Sequence, residues 1–271
     1  MAPPLPTSCF DVFIACAQAR HDGVLIRRAG AKDKEFHFQN WFQDRLASSG
    51  HAADLRGRNS YPDFTMVMEP EGYEVKALAY PGREASYDCN SQVPRGRHGA
   101  RTIYYVFGRY PAGAEEAEYP VIDLVLCHGD FLNASHDYVH KNRSFRGFGS
   151  YGDILVRDRK MYVAPTPFVL ARGTAGQATL IVPEDHPVDP RFAVVGWLVR
   201  TEASQVVVGY EFDLQTNEIS ARFAPNPEAG RQHAFVAYRL RSDRAQGRVE
   251  MAEAEEVLRL RDPVGEVDDE G

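Results

Sequence analysis

Two acidic residues and a lysine stand at a spacing that suits phosphodiester chemistry. Tyr61-Pro62-Asp63 is followed, after ten residues, by Glu74-Val75-Lys76. Hydrolysing a phosphodiester at neutral pH calls for hard cations that neutralise the phosphate and activate water. Magnesium takes one or two carboxylates together with waters and substrate oxygens. Asp63 and Glu74 supply those carboxylates. Alternation along a strand places Glu74 and Lys76 on one face, about 7 Å apart. One side chain would then bind metal while the other points an ammonium at the attacking water or the scissile phosphate.

These residues need a hairpin to hold them. Residues 64–68 read as a strand, and Glu69-Pro70-Glu71-Gly72 as a tight turn with proline second and glycine fourth. Residues 73–78 alternate as the returning strand. Pairing Glu69 with Gly72 sets Asp63 opposite Leu78, on the correct face but about 13 Å along the strand from Glu74. Sharing a metal therefore requires twist, a bulge or a slipped turn, and Pro62 ends regular pairing where Asp63 must swing inward.

Upstream, Thr7 or Ser8 caps a short helix carrying Phe10, Phe13, Ile14 and Ala17. A second helix starts near Asp33, presents Phe38, Trp41, Phe42 and Leu46 on one face, and stops at Gly50. Downstream, strands are predicted at 102–107, 121–127 and 151–157, with a candidate helix at 130–141. From Met161 onward the pattern is all-β, with strands at 163, 168–170, 179–182, 192–199, 205–212 and 234–240. The fold class expected is α/β (α+β): a mixed β-sheet flanked by helices, with a β-rich C-terminal half. The domains expected are a nuclease core at 1–160, a β-rich part at 161–249 for DNA grip or dimerisation, and an acidic, disordered tail at 250–271.

Pro62-Asp63 and Glu74-Val75-Lys76, with Glu35 in the first turn of the second helix, resemble the PD-(D/E)XK nuclease superfamily, which includes most type II restriction endonucleases. The resemblance spans about residues 33–80. It implies a restriction-endonuclease-like core and Mg2+-dependent cleavage of duplex DNA. Carried over by position, Asp63 and Glu74 would be metal ligands, with the Val75 carbonyl assisting. Lys76 would position or activate the water, and Glu35 would be an outer or additional ligand. A companion DNA methyltransferase protecting the host is a further implication. Cutting both strands of a symmetric site usually calls for a symmetric homodimer.

The segment that follows is rich in side chains able to pair with base edges. Asn90, Ser91, Gln92, Arg95, Arg97 and Arg101 are the candidates for DNA contact, with Gly96 and Gly99 letting the backbone approach a groove. Lys141 and Arg143 open a second basic stretch with interleaved aromatics, suited to the DNA backbone. A rival acid pair, Asp153 and Asp158 before Lys160, has only four residues between its acids, too few for a turn, and reads as one strand. His128, Asp130, Asn133, His136 and His140 could sketch a metal centre, yet no glutamate follows His136 and structural histidines are the expectation.

Composition sets the frame. The chain has 271 residues and a formal net charge of −7. Residues 250–271 hold nine acids and two bases, which is itself −7, so residues 1–249 are neutral. Within them, residues 81–110 carry five arginines against two acids and residues 141–160 six bases against two, a distribution compatible with DNA. Cys9, Cys16, Cys89 and Cys127 have no zinc spacing and read as reduced thiols. With no apolar run of membrane length and no secretory pattern at the start, a cytoplasmic location is expected. Two other readings stay open: a repair or modification-dependent nuclease, and a non-catalytic DNA-binding module with a decorative hairpin.

Overall fold

The computed structural model describes residues 7–28, 36–54, 61–82, 84–89, 93–113, 117–134, 144–148, 154–157, 163–187, 189–213, 215–216, 218–243 and 247–253. Its organising element is one large mixed sheet. In spatial order the strands are Phe192–Thr201, Gln232–Leu240, Ala178–Pro183, Asp123–His128, Arg101–Pro111, Glu71–Tyr80, Phe64–Met66 and Ala53–Asp54. The short strand Arg97–His98 pairs with the start of Arg101–Pro111 on the edge away from Glu71–Tyr80. Two neighbour pairs are parallel, Glu71–Tyr80 with Arg101–Pro111 and Ala178–Pro183 with Asp123–His128. The rest of the sheet is antiparallel.

The middle strands are buried on both faces, which explains their unbroken apolar character. One face is covered by the two long helices, Cys9–His21 and Phe36–Ser48. Phe13, Phe38, Phe42 and Trp41 pack there against Tyr73, Val75, Tyr104 and Leu126. The second helix presses so close that a Cβ on Gly108 would stand 2.1 Å from the Phe38 ring. The other face carries Leu78, Tyr105, Phe107, Val125 and Ile181. It is closed by the one-turn helices Gly129–Leu132 and Pro167–Leu170 and by strand Ser86–Asp88.

Several expectations are corrected. Residues 168–170 form part of the helical turn Pro167–Leu170, begun by a proline at its first position, where the missing N–H costs nothing. Ser8 holds the N-cap position of the first helix without a side-chain cap bond, because its hydroxyl donates to Glu71 instead. The helical run expected at 130–141 is a single turn, Gly129–Leu132, and residues 135–143 lie outside the described residues. The change of composition near residue 160 does not divide the sheet, since Ala178–Pro183 pairs directly with Asp123–His128. At the C-terminal end, Glu250–Met251 pairs with Ala171–Arg172, and residues 254–271 are not among those described. No described helix is long and apolar enough to cross a membrane.

Candidate active site

The hairpin does not turn where its sequence suggests. Phe64 pairs with Tyr73 and Thr65 with Gly72, so the connection spans the wider stretch between Met66 and Glu71, and Glu71 and Gly72 already belong to the returning strand. Three contacts fix this register. The Arg101 guanidinium donates through Nη1 to the carbonyls of Met66 (2.9 Å), Glu69 (3.3 Å) and Glu71 (3.4 Å), gathering the loop from inside. The Glu71 carboxylate, 4% exposed, accepts the Ser8 N–H (2.9 Å) and the Ser8 and Thr7 hydroxyls (both 2.5 Å) at the start of the first helix, where negative charge is favoured. Gly72 lies under Pro62, and a Cβ there would come within 2.5 Å of the proline ring.

The register sets the residue before Phe64 opposite the residue after Tyr73. Asp63 therefore faces Glu74, four positions from the Leu78 partner that a tight turn would give. The Asp63 N–H donates to Glu74 Oε2 at 3.3 Å, and Glu74 Oε1 accepts from Lys76 Nζ at 2.7 Å. The Asp63 carboxylate takes the Val75 N–H on Oδ2 at 2.8 Å and the Gln39 amide on Oδ1 at 3.0 Å. Val75 thus joins the cluster through its N–H. Of the predicted set, Asp63, Glu74, Val75 and Lys76 are brought together by a slipped turn. Glu35 is outside the described residues.

Glu74 and Lys76 are largely enclosed, with side chains 12% and 20% exposed. They share the sheet face opposite the long helices with Leu78, and Glu74 lies beside Tyr105 and Lys76 beside Phe107 in the parallel register. Burial alone would lower the Lys76 pKa. The Glu74 charge and hydrogen bond, joined by the Asp63 charge, outweigh it and hold the ammonium above its ordinary value. Tyr61 stands over the cluster, its hydroxyl 2.9 Å from that of Tyr105 and its ring edge-on to His98.

Two carboxylates and a lysine sum to one negative charge, and hard oxygen donors of this kind suit magnesium. Gln39 Oε1 adds a buried oxygen without a hydrogen-bond partner, on the same side chain whose amide grips Asp63. The residues fit a divalent cation. Asp63 and Glu74 are the acidic side chains that would hold one; among the described residues there is no group of three or more His, Cys, Asp or Glu side chains that could hold a metal ion.

The DNA-contact candidates divide. Asn90, Ser91, Gln92, Lys141 and Arg143 lie outside the described residues. Arg97 is exposed on its short strand, and Arg95 is partly buried nearby. Arg101 is reassigned, because its guanidinium holds the hairpin loop. Gly96 is also reassigned. A Cβ on Gly96 would lie 2.2 Å from the His128 ring and 2.6 Å from Asp130 Oδ1, so this glycine permits close packing inside the protein. Gly99, at φ +59° with open space around it, makes the turn between Arg97–His98 and Arg101–Pro111. The base of the basic segment is bolted down, with Gly96 N–H donating to Asp130 (3.0 Å) and Asn133 to the Pro94 carbonyl (2.8 Å).

His128 accepts from the Asp130 N–H through Nδ1 and caps the one-turn helix, and burial lowers its pKa. It is a structural histidine. His136, His140, Asp153, Asp158 and Lys160 are not among the described residues, while Ile154–Arg157 between them is a strand paired with Ser144–Phe148. Sequence reasoning missed Gln39. No motif marks it in the sequence, because its part is to hold Asp63 from a helix distant in the chain. Comparison with known proteins finds no matching family model, no matching curated protein and no matching solved structure.

Proposed function

We propose that the chain is a magnesium-dependent endodeoxyribonuclease of the PD-(D/E)XK kind, cutting duplex DNA at a specific sequence as a type II restriction endonuclease does. The observation that carries this reading is the slipped hairpin register, which sets the Asp63 backbone against the Glu74 carboxylate while Glu74 pairs with Lys76. A decorative surface hairpin has no need of that arrangement, nor of an enclosed ion pair at its centre.

Asp63 and Glu74 would hold the metal, which when bound supplies positive charge to the phosphate and a more acidic water. The Val75 N–H and the Gln39 amide fix the Asp63 carboxylate so that it does not rotate as the substrate arrives. Lys76 is kept protonated by its neighbours, so its part is that of a fixed cation. It would orient the attacking water and offset the charge growing on the phosphate oxygens, leaving proton removal to another group. Arg97, with Arg95 behind it, would face the DNA. A homodimer in the cytoplasm, partnered in function by a protecting methyltransferase, completes this reading.

The test is digestion of plasmid DNA of known sequence in magnesium, with the ends mapped. Discrete ends are expected from the wild type, and none from Asp63→Ala or Lys76→Ala proteins that retain native circular dichroism. Wild-type protein that binds duplex and leaves it uncut would establish the non-catalytic binding module instead.

A further inference from the structure

Beside Lys76 the fold opens into a cleft of about 430 Å³. It is lined on one side by Lys76 and Leu78 and on the other by Ala85, Ser86, Tyr87 and Asp88. That volume lies within the roughly 300–1,000 Å³ of small-molecule sites. It far exceeds the share of a few ordered waters at about 30 Å³ each.

The lining has a direction. Lys76 supplies a cation at the end shared with Asp63 and Glu74, and a fifth of its side chain remains exposed. Leu78, Ala85 and the Tyr87 ring supply apolar wall. Asp88, exposed on strand Ser86–Asp88, supplies an anionic acceptor. The Tyr87 hydroxyl is buried and turned to the Cys89 thiol, so what Tyr87 offers the cleft is its ring.

A cation, a flat apolar stretch and a carboxylate match a nucleotide in turn: phosphate, base face and amino edge. We propose that the cleft receives one nucleotide of the strand being cut, turned out of the duplex, with its phosphate at Lys76 and a base bearing an exocyclic amine at Asp88. Thymine has no such amine and fits poorly. The identity of the ligand rests on the nuclease reading, while the cleft and its polarity do not.

The test is titration of the full chain, without divalent metal or duplex, with dCMP, dAMP, dTMP and inorganic phosphate, followed by calorimetry. Saturable binding of dCMP or dAMP is expected at least about tenfold tighter than that of dTMP or phosphate, as one hydrogen bond to a charged group allows. The exposed Asp88→Asn substitution should erase that preference, and Ala85→Leu, which narrows the cleft, should weaken every nucleotide and spare phosphate. Equal binding of dTMP and phosphate, a preference that survives in Asp88→Asn, or no saturable nucleotide binding would overturn the proposal. Because no DNA is cut in this experiment, its failure is separate from a failure of the nuclease reading.

Discussion

The Gln39 amide, on the second long helix, donates to Asp63 Oδ1 at 3.0 Å and ties that helix to the mouth of the hairpin. The bond leaves Asp63 two anchors, one from a helix and one from the Val75 backbone. Gln39→Ala removes the first, and the carboxylate gains freedom to rotate. Such supporting bonds are worth about 10–100-fold in metal affinity or activity. The magnesium concentration for half-maximal cleavage should rise by that order, with kcat at saturating magnesium less affected. An unchanged magnesium dependence would show that Gln39 only packs the helix.

Glu74 holds Lys76 protonated against burial, so Glu74→Gln should let burial win and bring the lysine pKa below its ordinary 10.5. The chain has five lysines, few enough to follow by NMR of reductively methylated protein. In the wild type the Lys76 pKa is raised, so its stabilising contribution is present below the unfolded value and lost as pH rises through the higher folded one. A Lys76 signal that titrates alike in both proteins would contradict this electrostatic account.

Arginines near the site should separate by their response to salt. Arg101→Ala loosens the loop between Met66 and Glu71. It should lower stability by about 1–3 kcal/mol, since buried carbonyls lose their donor, without altering the salt dependence of DNA binding. Arg97→Ala should leave the melting temperature unchanged and reduce the slope of log K against log salt by about one. The reverse pattern would return Arg101 to the DNA interface.

His51 gives the hairpin loop a pH dependence. Its Nδ1 lies 2.7 Å from Glu69 and its Nε2 3.2 Å from Asp11, on the loop and the first helix respectively. Burial lowers its pKa, but the bonds to Glu69 and Asp11 outweigh that and raise it above 6.5. The clamp is then fully present below about pH 6.5 and is lost as pH rises through the folded value. Melting temperature should fall across that window more steeply in wild type than in His51→Gln. Parallel profiles for the two proteins would show that the clamp does not titrate as described.

Much of this was legible in the residues themselves. The two long helices, the hairpin strands and most later strands follow from the period of their apolar residues, and Asp63, Glu74 and Lys76 were singled out by their types and spacing. The register was not legible. Glu69-Pro70-Glu71-Gly72 carries tight-turn chemistry, yet Glu71 is claimed by Ser8 and Thr7, Glu69 by His51, and the bare face of Gly72 by Pro62. Local propensity lost to partners far away in the chain. The roles of Gly96 and Arg101 were hidden for the same reason, since a glycine that admits a neighbour and one that admits DNA look alike in sequence.

The pairing of Ala178–Pro183 with Asp123–His128 bears on how such a protein can change. Asp123–His128 is buried along its whole length, and its outer edge is satisfied only by a strand fifty residues further on. A chain ended at residue 160 would bare a row of backbone donors and acceptors flanked by Leu124, Val125, Leu126 and Cys127, an invitation to stick to itself. The hairpin of Phe64–Met66 and Glu71–Tyr80 and the late strands are therefore not interchangeable parts. Variation is left to surface segments, such as the arginine-bearing stretch after the cleft, around a sheet that must be inherited whole.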